Sequence, residues 1–87
     1  MVVIQSISST EIVLMKKKDK KILLIQLAKR VKELRKAKGV TQADALTDTK
    51  ILFSRIEQGK RNISFTTLFE ICKYFDITMD EFFKDKF

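Results

Sequence analysis

The sequence contains no proline, no histidine and only two glycines. The scarcity of turn-forming residues argues against a loop-rich β architecture and favours helices joined by tight turns. The absence of histidine removes the commonest general base and the commonest metal ligand together. No nucleophile–base pair or glycine-rich phosphate loop is present either, so we expect no enzyme, no metal site and no cofactor.

Cysteine is equally scarce, since Cys72 is the only one in 87 residues. One cysteine excludes an internal disulfide framework and a thiolate metal site, and it fits a cytoplasmic location. The apolar residues 1–15 are too short to span a bilayer and lack the basic leading end of a signal peptide. We therefore predict one domain with no membrane association.

Positive charge is concentrated in one part of the chain. The net charge is +7, and residues 16–38 hold eleven lysines and arginines against two acids, a local charge of +9. Such a block favours a polyanionic partner, because neutralised phosphates release condensed counterions. A solvated lysine-rich helix face is the alternative explanation.

The chain divides into an N-terminal extension with a basic linker (1–21) and a helical domain (22–87). Residues 1–15 have β-branched runs on both sides of Ser8–Thr10. This pattern is typical of an edge strand or hairpin, and a dispensable extension is the alternative. The lysine-rich residues 16–21 are interpreted as a basic linker, or as an arm that adds sequence-independent affinity for a duplex.

Apolar periodicity and capping residues predict the first three helices. Apolar residues recur at three- and four-residue intervals over Ile22–Lys38, and Gly39 ends this helix. A capping box, Thr41 with Asp44, starts a second helix that stops at residues 47–49. A third helix is expected over residues 50–58, with Phe53 and Ile56 facing the core.

Two further helices complete an all-α domain. Ser64 caps a fourth helix that runs to Phe75. Thr78 and Glu81 form a second capping box, which opens a short fifth helix. Five short helices in sequence predict an all-α fold with a short N-terminal extension.

Two short helices behind a basic first helix have the geometry of a helix-turn-helix, whose second helix enters the major groove. The segments Arg35–Gln42 (RKAKGVTQ) and Ser54–Asn62 (SRIEQGKRN), with Ser64 and Thr67 beyond them, resemble the Xre family. These are the Cro and lambda-repressor-like transcription regulators. The resemblance covers about residues 22–83 and implies a five-helix lambda-repressor-like domain that binds double-stranded DNA.

Several roles follow from this resemblance. Gln42 is expected to bond a phosphate and brace the third helix, and Lys50 and Leu52 are positioned for guanine and a thymine methyl. Arg55 contacts phosphate or forms an ion pair, of which we favour the first. The resemblance implies a structural ion pair between Arg35 and Glu57. The full predicted DNA-binding set is Thr41, Gln42, Thr49, Lys50, Leu52, Ser54, Arg55, Lys60, Arg61 and Asn62.

The sequence departs from the family pattern between Gln42 and Ser54. This stretch is a few residues shorter than usual and lacks the familiar glycine in the turn. We expect Asp48 and Thr49 to form the turn instead. Apolar Ile51 and Leu52 occupy positions that are more often polar, which favours apolar contact and DNA shape in base recognition.

A symmetric homodimer is expected, because one recognition helix contacts only a few base pairs. The predicted interface consists of Phe82, Phe83 and Phe87, although one of the first two is expected to close the core.

The leading functional prediction is a transcriptional repressor. The alternatives are an antitoxin or restriction-system controller that binds a protein partner through residues 1–15, and a helical interaction module without specific DNA binding.

Overall fold

The computed structural model describes residues 20–87, and these form five α-helices without a strand. The predicted all-α, five-helix architecture is therefore confirmed. Residues 1–19, with the predicted strand or hairpin and most of the basic linker, lie outside the described residues. No helix within residues 20–87 is long and apolar enough to cross a membrane. The helices are α1 (Lys20–Lys38), α2 (Gln42–Thr49), α3 (Phe53–Ile56), α4 (Phe65–Tyr74) and α5 (Met79–Phe83).

The ends of α1 and α2 follow the predicted signals. Gly39 adopts φ +79°, and its N–H donates to the Arg35 carbonyl at 3.1 Å, which closes α1. The Thr41 hydroxyl accepts from the Asp44 N–H at 3.0 Å, and the Asp44 carboxylate accepts from the Thr41 N–H at 3.1 Å. Hydrogen bonding of the Asp44 carboxylate to the backbone N–H of Thr41, and to its hydroxyl, lowers the pKa of Asp44. The capping box therefore fixes the start of α2 at Gln42.

The prediction for the third helix was wrong at both ends, since α3 spans only Phe53–Ile56. Lys50 adopts φ 68° and ψ 15° and terminates α2, with its N–H donating to the Leu46 carbonyl at 2.7 Å. A residue in this left-handed conformation cannot begin a right-handed helix. Lys50 thus occupies the backbone conformation that glycine adopts without strain. The expectation that Asp48 and Thr49 form the turn was wrong, because both residues belong to α2 and the turn begins at Lys50.

Caps on α4 and α5 match the sequence signals. The Ser64 hydroxyl accepts from the Thr67 N–H at 3.1 Å at the start of α4. Thr78 and Glu81 form the second capping box, with distances of 2.9 and 3.0 Å. Both predicted helix starts are confirmed.

Every helix contributes to one hydrophobic core. Phe53 and Ile56 face inward as predicted, and the Phe53 ring makes edge-to-face contacts with Tyr74 and Phe75 at centroid distances of 6.2 and 5.9 Å. A four-residue helix has little intrinsic stability, so this packing holds α3 in place. The buried core cluster consists of Val31, Ala45, Phe53, Ile56, Ile71, Cys72 and Phe82.

The C-terminal helix is attached to α1 through Arg30. The Arg30 Nε donates to the Phe82 carbonyl at 2.7 Å, and its Nη2 donates to the Glu81 carbonyl at 2.8 Å. Phe82 is fully buried and closes the core. Its assignment to a dimer interface is therefore corrected, because its side chain does not reach the protein surface. Phe83 and Phe87 remain 41% exposed.

A tyrosine–carboxylate hydrogen bond joins α2 to α4. The Tyr74 hydroxyl donates to the Asp48 carboxylate at 2.6 Å. This bond, together with desolvation and the Asp48 charge, raises the pKa of Tyr74 to about 12. The Lys38 ammonium lies 4.9 Å from the centre of the same ring, so the contact also involves the end of α1.

Ionisation of Tyr74 provides a direct test of this junction, because it is the only tyrosine and the sequence has no tryptophan. We expect its tyrosinate absorbance to appear near pH 12, against about 10 for a free side chain. Because the folded pKa is raised, its contribution to stability is complete below pH about 10 and is lost as the pH rises through the folded value. In Asp48→Asn the transition should move towards 10, whereas in the control Asp80→Asn it should not. An unshifted transition in Asp48→Asn would contradict the hydrogen bond.

Candidate nucleic-acid interface

The Glu57 carboxylate, at the end of α3, accepts hydrogen bonds from two other segments. The Arg35 guanidinium donates to its two oxygens at 2.7 and 3.0 Å, and the Gln42 amide donates to Oε1 at 3.0 Å. Arg35 also donates to the Val40 carbonyl at 2.9 Å. The ion pair predicted between Arg35 and Glu57 is thus present, and it raises the pKa of Arg35. The Glu57 carboxylate therefore fixes the relative positions of α1, the start of α2 and the end of α3.

This ion pair is shielded from solvent. The Arg35 and Glu57 side chains are 11% and 4% exposed. A bidentate, charge-assisted pair at this depth has a fixed geometry, unlike an exposed surface pair. Gln42 therefore has the bracing contact to α3 that was expected of it, and its phosphate contact stays a prediction.

Most of the predicted site residues line three depressions in the surface around α3. The first has a volume of about 530 Å³ and is lined by Arg55, Gln58, Lys60, Arg61 and Asn62. The second, of about 310 Å³, shares Arg61 and Asn62 with the first and adds Lys50 and Leu52. The third, of about 620 Å³, lies at the α1–α2 turn and includes Thr41 and Gln42.

The first two depressions carry a concentrated positive charge. Lys50, Arg55, Lys60 and Arg61 are all exposed, and the one acid between residues 50 and 62, Glu57, is bound to Arg35. Within residues 20–87 none of these four cations forms an ion pair. Glu57 is paired with Arg35 and not with Arg55, and Arg55 lines the first depression. Such an arrangement suits a polyanionic ligand.

Two predicted residues stand apart from the depressions. The Thr49 hydroxyl is used within the fold, since it donates to the Ala45 carbonyl at 2.7 Å and accepts from the Ile51 N–H at 3.0 Å. Thr49 is the last residue of α2 and does not lie at the start of α3. Ser54 is exposed on α3 but lines none of the three depressions.

Three polar residues that line the first two depressions were not predicted as site residues. Gln58 lies among the cations of the first depression, and Ser64 and Thr67 line the second at the start of α4. Ser64 and Thr67 belong to the motif that carries the family resemblance, so a signal for them existed. Gln58 also lies within the motif segment Ser54–Asn62, but its place among the cations depends on the turn that follows α3.

Comparison with known families agrees with this geometry. The family model described as Helix-turn-helix matches residues 54–82, which include most of α3, all of α4 and most of α5. The predicted resemblance is thereby confirmed. Comparison with curated proteins and with solved structures gives no match.

Replacement of Lys50 should separate fold stability from ligand binding. We expect Lys50→Gly to raise the free energy of unfolding by about 0.5–1 kcal/mol, because glycine adopts the left-handed conformation without the Cβ clash. The same change should weaken DNA binding and lower its salt slope by about one. The control Lys50→Gln keeps the strain and loses the charge, so it should weaken binding without added stability. Equal stability of the glycine and glutamine variants in chemical denaturation would refute the assignment of strain.

Proposed function

We propose, from the helix-turn-helix domain that this chain carries, that it is a sequence-specific repressor of transcription acting as a homodimer on a palindromic operator. The observation that carries this proposal is the cluster of four exposed cations around α3, none of which forms an ion pair with another residue in the range 20–87. Occupation of the operator is the activity that we assign to the described residues. Such a protein acts in the compartment that holds the DNA, here the cytoplasm.

The residues around α3 divide into two groups by chemistry. Leu52 and Ser54 flank the buried Phe53 at the start of α3, where side chains of a recognition helix approach base edges. Arg55, Lys60, Arg61 and Asn62 line the first depression and supply donors for phosphate oxygens. The proposal therefore assigns specificity to the start of α3 and most of the affinity to the loop after it.

A dimer is needed because α3 has a single turn. One turn contacts only a few base pairs, so two half-sites about one helical turn of DNA apart are required for a useful operator. Phe83 and Phe87 form an exposed aromatic pair with a centroid distance of 4.9 Å. Arg30 fixes the helix that carries Phe83, so the pair is presented in one orientation. We assign the dimer contact to this pair.

Selection of bound duplexes from a random library at two salt concentrations tests the DNA-binding proposal. We expect a palindromic consensus and a steep loss of affinity with salt. Arg55→Gln, Lys60→Gln and Arg61→Gln should each lower the salt slope by about one, since each removes one phosphate contact. Lys73→Gln, an exposed α4 lysine that lines none of the depressions, is the matched control. Salt-sensitive binding without a preferred sequence would contradict the proposal.

Sedimentation equilibrium tests the dimer. Phe83→Ser combined with Phe87→Ser should convert the protein to a monomer and abolish cooperative binding to the two half-sites. Phe65 and Phe69 are 72% and 52% exposed on α4 and supply the matched control. Their replacement by serine should leave the dimer intact. If replacement of Phe65 and Phe69 abolishes dimerisation and replacement of Phe83 and Phe87 does not, the assigned interface is wrong.

A further inference from the structure

One row of side chains on α1 faces away from the core. Its members follow one another at alternate intervals of three and four residues, which places them on the same side of an α-helix. All of them are exposed, whereas Val31, on the opposite side of α1, is fully buried. The row, here called the outer stripe, consists of Ile22, Ile25, Lys29, Lys32 and Lys36.

The outer stripe has an apolar end and a basic end. Ile22 and Ile25 are 51% and 57% exposed. Within residues 20–87 none of the three lysines of the stripe forms an ion pair. The one acid on α1, Glu33, is engaged by Arg30 and Lys86 at 3.7 and 3.5 Å. The stripe therefore presents exposed apolar area next to uncompensated positive charge.

Ile25 is supported from one side by the turn that follows α3. Gly59 adopts φ +79°, and a Cβ added to it would lie 3.4 Å from Ile25 Cγ1. The Gly59 backbone thus packs against α1 at Ile25 and leaves more than half of the isoleucine exposed. Because Ile25 is branched at Cβ and already held on one side, it has little conformational freedom left to lose. Burial of its exposed part against a ligand would be favourable.

Charge argues against the other copies and segments of this chain as the ligand. A second copy of the stripe would place lysines against lysines in a parallel pair, and lysines against isoleucines in an antiparallel pair that overlaps fully. Residues 1–19 hold three lysines against Glu11 and Asp19, so their charge does not complement the stripe either. A DNA backbone would match the lysines and leave the isoleucines without an apolar partner.

The spacing of the stripe favours a helix as its ligand. Alternate intervals of three and four residues form the seam along which a second helix packs. The stripe extends over four turns, about 21 Å, which is the length of an ordinary helix. We infer that the outer stripe binds an acidic amphipathic helix of a partner protein. Apolar side chains of that helix lie opposite Ile22 and Ile25, and its carboxylates lie opposite the lysines.

A synthetic acidic helix tests the inference. The probe is a fluorescent alanine-based peptide of about 16 residues, stapled on its rear face to keep it helical, with two leucines and three glutamates at the spacing of the stripe. It is made in two orders, because the stripe can accept a helix that runs in either direction. We expect one order to bind the full chain in fluorescence anisotropy. The same peptide with glutamine in place of glutamate should bind about tenfold more weakly.

Paired substitutions in the protein locate the binding site. Lys29→Gln with Lys32→Gln should lower the affinity for the peptide about fivefold, because two exposed ion pairs are lost. Ile22→Ala with Ile25→Ala should lower it about tenfold, because apolar contact area is lost. Circular dichroism checks that each variant is folded.

The matched controls alter exposed residues of the same kinds that lie outside the stripe. They should keep the wild-type affinity for the peptide. The control pairs are Lys73→Gln with Lys84→Gln, and Leu23→Ala with Leu46→Ala.

Three results would overturn the inference. The first is that neither order of the peptide binds, and the second is that the glutamine peptide binds as well as the glutamate peptide. The third is that the lysine pair lowers the salt slope of duplex binding by about two and leaves peptide binding unchanged, which would assign these lysines to DNA. A duplex selection without sequence preference would contradict the proposed function and leave this inference standing, because the outer stripe is separate from α3.

Discussion

The relative positions of α1, α2 and α3 depend on one carboxylate. Glu57 closes α3 and accepts hydrogen bonds from Arg35 on α1 and Gln42 at the start of α2. Because the pair with Arg35 is shielded from solvent, its attraction is weakened less by salt than the attraction between exposed charges. Three segments distant in sequence therefore keep their relative positions under the ionic conditions that modulate phosphate contacts. This carboxylate also pairs with the largely shielded Arg35, and within residues 20–87 Lys50, Arg55, Lys60 and Arg61 form no ion pair.

Because α3 is short, it depends on packing against the rest of the structure to remain helical. A four-residue helix does not persist by itself, and two of its side chains, Phe53 and Ile56, are inserted into the core. The remaining two positions, Ser54 and Arg55, face solvent. The exposed surface that α3 itself presents is correspondingly small. Leu52 and Lys50, which precede α3, line the depression beside it.

Local signals predicted most of the helix boundaries. Gly39, both capping boxes and Ser64 each act within a single turn of helix, so the sequence contains all of the information that they require. Local signals did not predict the boundaries of the helix within residues 50–58. Its apolar spacing was compatible with a longer helix, and only packing against α2 and α4 decides that Lys50 is the end of one helix and not the start of the next. The sequence also suggested two candidates, Phe82 and Phe83, for closing the core, and the attachment of α5 to Arg30 decides for Phe82.

The left-handed conformation of Lys50 connects stability with function. Asparagine or glycine would adopt φ 68° with less strain, and glycine is the residue that the family pattern has in this turn. A lysine here costs conformational energy and makes no ion pair within residues 20–87. Its side chain lines the depression that also holds Leu52 and Arg61. Strained residues are retained where their side chains serve a purpose that the fold does not require. The charge at this turn therefore lies beside the exposed Leu52 side chain, and the strain is the structural cost of placing a cation next to an apolar surface.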